Sequence, residues 1–425
     1  MLLGRIKRTV YTGFAVIVAL AGATVAFAEV GTPPKPVQVV SAAPFVSNLN
    51  VHAVGFQAPA AALIDANTGQ LLYANNILAK RYPASIAKLM TALLALQLVR
   101  EGKLTLQSII PVSQSAYNVA RTPGLSVAYL NPSEHITLER MLKYMFVVSA
   151  DDAAVAVADS IAGNQRAFAR MMNAEAAKLG MTGTHYVNAS GLQNAQEYTN
   201  ALDTLMLARH LVLRYPIVLK YASLPGMYIH PGQYGVNYDY LLGQFPGLDG
   251  LKTGSTNQAG FCFVGTAIRG KTRLISVIFG ANSFNAVFQD TAALLDYGFN
   301  HFASTLVQRS GVPLAQRVQV ANGVAAAIQV APRVDVSLKL PKTGARRVSF
   351  ALTEPRVHAP IRAGEQVGSE RIAVNGHVVL NVPVYAVQSD NPAGLIQKAW
   401  RWVFYHIHRA ARRLVDRALH KLGEM

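Results

Sequence analysis

The chain is almost without cysteine: Cys262 stands alone among 425 residues. One thiol cannot form an intramolecular bridge, so the fold must rest on its apolar core rather than on a disulfide framework. No HExxH and no paired Cys/His spacing occurs, so neither metal-hydrolase nor zinc-ribbon chemistry is indicated, and no cofactor is expected. Acids are scarce as well. There are 22 Asp and Glu against 39 Lys and Arg, a formal charge of +17. So basic a chain suits an anionic surface, and nothing beyond charge suggests nucleic acid. Internal repeats are lacking too. Apolar residues, in contrast, make up 51% of the chain, enough for two or three domains with substantial cores.

The apolar residues are not spread evenly. Arg5, Lys7 and Arg8 precede "FAVIVALAGATVAFA", and Ala26 and Ala28 form a small-x-small site before Glu29. This predicts a cleaved secretory signal over residues 1–28, too short and wrongly flanked for a membrane span. No cysteine follows it to take a lipid. Residues 29–54, rich in Pro, Val and Ser, read as an extended leader. "AAALIDANTGQLLYANN" reads as strand, turn, strand, with the turn at Asn67-Thr68-Gly69. Helical texture dominates from 84 to about 222. "GFCFVGTAIRGKTRLISVIFGA" reads as a hairpin, and "TAALLDYGFNHFA" as a helix packing back. From about 306 the pattern turns to short alternating strands. The expected organisation is a mixed α/β domain over 55–305, with an antiparallel sheet flanked by helices. A small β-sandwich over 306–390 and a basic amphipathic helix over 391–425 follow.

One stretch is chemically odd. From Ala84 to Val99 the only charge is Lys88, in a run whose composition predicts a buried helix. A buried ammonium is costly unless it is paired or loses its proton. Ser85 lies three residues earlier, one turn away on the same face. A neutral lysine there is a competent base for a serine hydroxyl. Two further groups join this pair. Ser149-Ala150-Asp151 follows the apolar "MLKYMFVV", at a helix end. Lys252-Thr253-Gly254 precedes an apolar strand, so a cation sits at a sheet edge beside a glycine that lets a ligand approach. A second such triplet, Lys342-Thr343-Gly344, lies between Pro341 and Arg346-Arg347 with no helix nearby, and reads as a turn.

Serine-x-x-lysine, then serine-x-asparagine, then lysine-threonine-glycine, marks the penicillin-recognising serine enzymes. The chain resembles the low-molecular-mass penicillin-binding proteins that act as D-alanyl-D-alanine carboxypeptidases. "LIDANTGQLLYANN", "PASIAKLMT", "LGMTGTHYVNASGL", "LDGLKTGSTNQAGFCFVGTA" and "LLDYGF" stand in family order, and "APIRAGEQVG" and "VVLNVPVYAV" match the family's C-terminal sandwich. The resemblance implies a serine β-lactamase/transpeptidase-like domain that trims the terminal D-alanine from peptidoglycan pentapeptides, with β-lactams as covalent inhibitors. It implies Ser85 as nucleophile, Lys88 as its base and Ser149 as proton relay. Lys252, Thr253, Gly254, Ser255 and the residue at Asp151 would bind substrate. The Ser85 and Ser255 N–H groups would form the oxyanion hole.

Two positions depart from the family. Asp151 stands where the family has a neutral amide, and a carboxylate can only accept hydrogen bonds. The sequence leaves open whether Asp151 pairs with Lys88 or with Lys252. Val287 stands where the family often carries an arginine that helps bind the substrate's carboxylate. A D,D-endopeptidase cutting cross-links would use the same residues, and a non-catalytic wall-binding relative is the other alternative. A β-lactamase of class A would need a deacylating glutamate; Glu197 is the only acid between Gly180 and Asn200, and it reads as a solvated loop residue. Ile396, Trp400, Val403, Ile407, Leu414, Ala418 and Leu422 form one helical stripe, and residues 394–425 hold seven Lys or Arg against two acids. That pattern suits an interfacial helix on anionic lipid, on the outer face of the cytoplasmic membrane.

Overall fold

The structure, a computed structural model, describes residues 58–396, apart from 345 and 355, together with residue 399. The signal, the leader and nearly all of the basic tail therefore lie outside the described residues. In chain order the first region runs β1 (Ala60–Asp65), β2 (Leu71–Asn75), α1 (Lys88–Arg100), β3 (Ile109–Ile110), α2 (Gln114–Ala120), β4 (Ile136–Thr137), α3 (Leu138–Val147), α4 (Asp151–Ala162), α5 (Gln165–Leu179), α6 (Ala201–Arg214), α7 (Ile217–Ala222), β5 (Gly226–His230), β6 (Gln233–Val236), β7 (Leu248–Thr256), β8 (Gly260–Arg269), β9 (Thr272–Ala281) and α8 (Phe284–His301). The second runs β10 (Phe302–Gln308), β11 (Arg317–Ala321), β12 (Ala327–Ala331), β13 (Val336–Pro341), β14 (Val348–Leu352), β15 (Arg356–His358), β16 (Gln366–Val374) and β17 (His377–Ala386).

The first region is built around an antiparallel sheet in the order β2-β1-β9-β8-β7. Its strands are apolar on both faces because both faces are covered. Ile64, Val264, Ile275 and Val277 pack into a core shared with α1 and α3 to α7, whose contributors include Leu89, Leu93, Ala154 and Phe168. Leu63, Phe263, Leu274 and Ile278 point the other way, into a core shared with Leu294 and Leu295 of α8. The period-2 alternation of each strand thus divides one sequence between two cores. β7 is the edge strand, so one side of the Lys252-Thr253-Gly254 segment is free of strand pairing.

The second region holds a six-stranded curled sheet in the order β14-β16-β17-β12-β11-β15, plus a β10-β13 ribbon. β11 and β15 pair in parallel; the other strands of the sheet pair antiparallel. Two apolar clusters fill it, one around Val318, Ile328 and Val384, the other around Leu338, Ile372 and Leu380. The regions meet at Gln70. Its side-chain amide donates to the Lys339 carbonyl at 2.8 Å and its Oε1 accepts from the Lys339 N–H at 2.7 Å. Lys339 Nζ lies 3.5 Å from Asp65 Oδ2. Among the described residues, no helix is long and apolar enough to cross a membrane.

Candidate active site

The chain enters α1 through one 3₁₀ turn, Ala84–Ala87. The sequence predicts Ser85 inside the helix itself; the structure instead places it in this turn, with Lys88 as the first residue of α1. The cause is local packing. Ala84 adopts φ 47°, a left-handed conformation uncommon for alanine, and the Ile86 N–H bonds back to the Pro83 carbonyl at 3.1 Å. A 3₁₀ turn aligns residues i and i+3 more closely than an α-turn does. Lys88 Nζ accordingly donates to Ser85 Oγ at 2.8 Å.

Lys88 is 1% exposed, which makes its other partners decisive. Nζ donates to the Ser190 carbonyl at 2.9 Å and to Asp151 Oδ1 at 2.6 Å. Of the two pairings open to Asp151, the structure has the one with Lys88. Lys252, on β7, is equally buried and donates to Ser149 Oγ at 3.0 Å and to the Thr253 carbonyl at 2.9 Å. Burial, and next the neighbouring Lys88 charge, hold its ammonium well below the usual lysine value. Ser149 itself has φ 59°, in the bend between α3 and α4.

Glycine is needed at two close approaches. A Cβ on Gly254 would come within 3.0 Å of the Ser85 nitrogen, so this glycine seats β7 against the serine turn. Gly191 has φ +80°, and a Cβ there would fall 1.7 Å from the Ala84 carbonyl oxygen. Asp152 fixes the opposite wall. Its carboxylate, fully buried, accepts from the Ala128 and Leu130 N–H groups, and the Asp151 N–H donates to the Ser126 carbonyl at 2.7 Å. Burial raises the Asp152 carboxyl above the usual aspartate value, and these hydrogen bonds oppose that rise.

Ser85, Ser149, Thr253, Gly254 and Ser255 open into one cavity of about 240 Å³. With Lys88, Asp151 and Lys252 beneath it, every candidate residue read from the sequence is in or under this cavity. The hydroxyls of Ser85 and Ser149 and the amines of Lys88 and Lys252 converge there, a set of groups capable of acyl transfer. The family profile described as D-alanyl-D-alanine carboxypeptidase matches residues 47–283. The chain belongs to this family. Among relatives of this carboxypeptidase family, D-alanyl-D-alanine carboxypeptidase DacF of Bacillus subtilis is 30% identical over 347 residues, covering 80% of this chain and 87% of its own. DacC of Escherichia coli is 27% identical over 368 residues, covering 86% and 92%. Penicillin binding protein 5 from Haemophilus influenzae superposes with a TM-score of 0.70 at 25% identity, over 79% of this chain and 98% of that one.

Within this carboxypeptidase the structure corrects one expectation. Glu197 is no solvated loop residue: it is 1% exposed. It turns inward because the Val187 N–H and Asn188 Nδ2 reach its carboxylate, at 3.3 and 3.4 Å. Burial pushes it up to about 7. The same Asn188 accepts from the N–H groups of Ser190, Gly191 and Leu192 and so shapes the loop whose carbonyl holds Lys88. Asp239, also missed, is pushed up to about 7 by burial, with the Lys252 charge pulling it down. The sequence also gave no warning of Ser126, Tyr238, Phe261, Phe284 and Phe288 as cavity lining, since they come from four separate segments. Asn188 is the one signal in the text: an amide inside "HYVNASGL" with backbone donors on its C-terminal side.

Proposed function

We propose that Ser85 is the nucleophile of a serine-type D-alanyl-D-alanine carboxypeptidase that trims peptidoglycan pentapeptides and is acylated by β-lactams. The observation that carries this reading is the 2.8 Å contact between Lys88 Nζ and Ser85 Oγ inside the cavity that Thr253 and Ser255 line. Ser85 Oγ attacks the carbonyl of the penultimate D-alanine and its proton passes to Lys88. The Ser85 and Ser255 N–H groups receive the oxyanion, an interaction of the kind worth ~10²–10³ in rate. Ser149, bonded to Lys252, hands a proton to the leaving amine, and D-alanine departs. Lys252, Thr253 and Ser255 hold its carboxylate, and Gly254 gives the substrate room. Water then cleaves the acyl-enzyme. Asp151 flanks the substrate and sets the position of Lys88.

The same reading assigns 1–28 to a secretory signal, 29–54 to a leader, 55–305 to the penicillin-recognising catalytic fold and 306–390 to a small β-sandwich domain. Residues 391–425 would hold the protein peripherally on the outer face of the cytoplasmic membrane, in the periplasm. A D,D-endopeptidase would use the same groups, and a cross-linked muropeptide assayed beside the pentapeptide separates the two. The test is direct. A fluorescent penicillin should label the protein covalently, Ser85→Ala should abolish the label, and the unaltered protein should release D-alanine from a pentapeptide. Label that persists in Ser85→Ala, or maps to another serine, overturns the assignment.

A further inference from the structure

The rim of the Ser85 cavity carries a run of exposed aromatic side chains that the carboxypeptidase reading, on which this inference rests, does not use. From Tyr234 to Tyr240 Asn237 and Asp239 are buried, whereas Tyr234, Val236, Tyr238 and Tyr240 are 41–60% exposed. The usual order, apolar in and polar out, is inverted. Hydrogen bonds hold the inversion. Asn237 Nδ2 donates to the Ala222 and Leu224 carbonyls at 2.9 and 2.8 Å, and its Oδ1 accepts from the Asp239 N–H at 2.9 Å. The exposed rings are seated as well. Tyr234 pairs with Tyr228 across the β5–β6 hairpin, their ring centroids 5.1 Å apart and edge to face. Gly226 makes room for the Tyr234 ring, since a Cβ there would fall 2.6 Å from it. Tyr240 meets Phe284 edge to face at 4.7 Å.

Two observations bear on what covers this stripe. It is continuous with the catalytic site, because Tyr238 lines the same cavity as Ser85 and Ser149. It is also uncharged. Residues 226–240 contain no Lys or Arg, their single carboxylate, Asp239, is buried, and His230 Nε2 is bonded to the Ala128 carbonyl at 2.9 Å. On a chain of formal charge +17 this is a neutral face, with nothing to attract an anionic polymer. Each tyrosine offers an apolar ring face with a hydroxyl at its edge. A sugar ring is complementary, with C–H groups on its faces and hydroxyls at its rim. The pentapeptides that the site trims hang from such a chain. We propose that the stripe of Tyr228, Tyr234, Tyr238 and Tyr240 binds the glycan of peptidoglycan, an uncharged chain of N-acetylated sugars, and so makes the wall polymer a better substrate than a free peptide.

Two measurements on the full chain test this. Calorimetric titration with a soluble N-acetylglucosamine oligomer should show binding. Tyr228→Ala and Tyr234→Ala should each weaken it about tenfold, an ordinary effect of truncating an anchoring aromatic, and Tyr234→Phe, which keeps the ring, should retain most of it. D-Alanine release should follow. On uncross-linked glycan chains bearing pentapeptides both alanine variants should lose about tenfold in kcat/KM. On the sugar-free tripeptide diacetyl-L-lysyl-D-alanyl-D-alanine they should match the unaltered protein. If one alanine variant fails to fold, the other and the unaltered protein still decide. Absence of oligomer binding by the unaltered protein overturns the inference, and binding to phosphatidylcholine vesicles in its place would assign the stripe to lipid. Equal losses on both substrates overturn it too, since the rings would then serve only the fold. Oligomer binding without D-alanine release from either substrate overturns the carboxypeptidase reading instead.

Discussion

Replacing Glu197 by glutamine should change how stability depends on pH. The folded protein raises this carboxyl from its ordinary 4.5 to about 7, chiefly by burial. It thus holds the Glu197 proton more tightly than the unfolded chain does. The stability that this group contributes is complete below about pH 4.5 and is lost as pH rises through about 7. At 1.36 kcal/mol per pH unit, the gap between the two values corresponds to about 3 kcal/mol, of which roughly 2–3 kcal/mol falls between pH 5 and 8. The group is buried, so solvent screening takes little from this figure. Glutamine carries no charge, and its oxygen can still accept from the Val187 N–H. Urea unfolding at pH 5 and pH 8 should therefore show the unaltered protein losing about 2–3 kcal/mol more than Glu197→Gln across that range. Asp239 pulls the same way in both proteins and cancels from the difference. Parallel pH dependences would refute the reasoning and place the Glu197 carboxylate in contact with water.

Asp151→Asn removes the carboxylate 2.6 Å from Lys88 and leaves a buried amine without its counter-charge. That favours the neutral base, so the second-order rate of penicillin acylation at pH 7 should rise; a collapse would assign the carboxylate a positive catalytic role. Gly191→Ala forces a Cβ into the Ala84 carbonyl at a positive φ, so it should cost at least ~1–3 kcal/mol in stability and slow acylation of Ser85. Thermal unfolding and the labelling rate check both effects. Removing residues 394–425 should release the protein from membranes with penicillin labelling intact. Binding of the full chain should weaken with salt, since each Lys or Arg near anionic lipid contributes roughly 1 kcal/mol. A truncated protein that still pellets with membranes refutes the anchor.

Local spacing made the core of the site legible. Ser85 and Lys88 are three residues apart, and any helical turn brings such a pair together. Lys252 precedes a hairpin whose turn and register follow from alternation. What stayed hidden depends on contacts across long stretches of chain. The 3₁₀ turn at Ala84 is shaped by Gly191 and Gly254, each more than a hundred residues away. The choice of Asp151 between two lysines is made in three dimensions by how α4 meets α1. Glu197 looked like solvent-facing loop because its partners, Val187 and Asn188, have no apolar periodicity to betray burial. The aromatic lining of the cavity was hidden because Tyr238, Phe261 and Phe284 come from separate segments of the chain. In the second region alternation announced strands, but nothing in it specified that β11 and β15 run parallel.

The junction at Gln70 has a consequence for how the two regions can diverge. Its amide presents one donor and one acceptor to the Lys339 backbone, as a neighbouring peptide group would. The partner is main chain, so these two bonds do not depend on the side chain at position 339, whereas they do need the amide at position 70; the Lys339 ammonium makes its own separate contacts, with Asp65 and Thr272. Glutamate at position 70 would keep the acceptor and lose the donor, leaving the Lys339 carbonyl without that bond. For the paired amide bonds the sequence requirement falls on the catalytic region alone, and the β-rich region need only keep the course of the β13 backbone; the buried ammonium of Lys339 beside Asp65 is where that region's own side chain answers to the catalytic region at this contact.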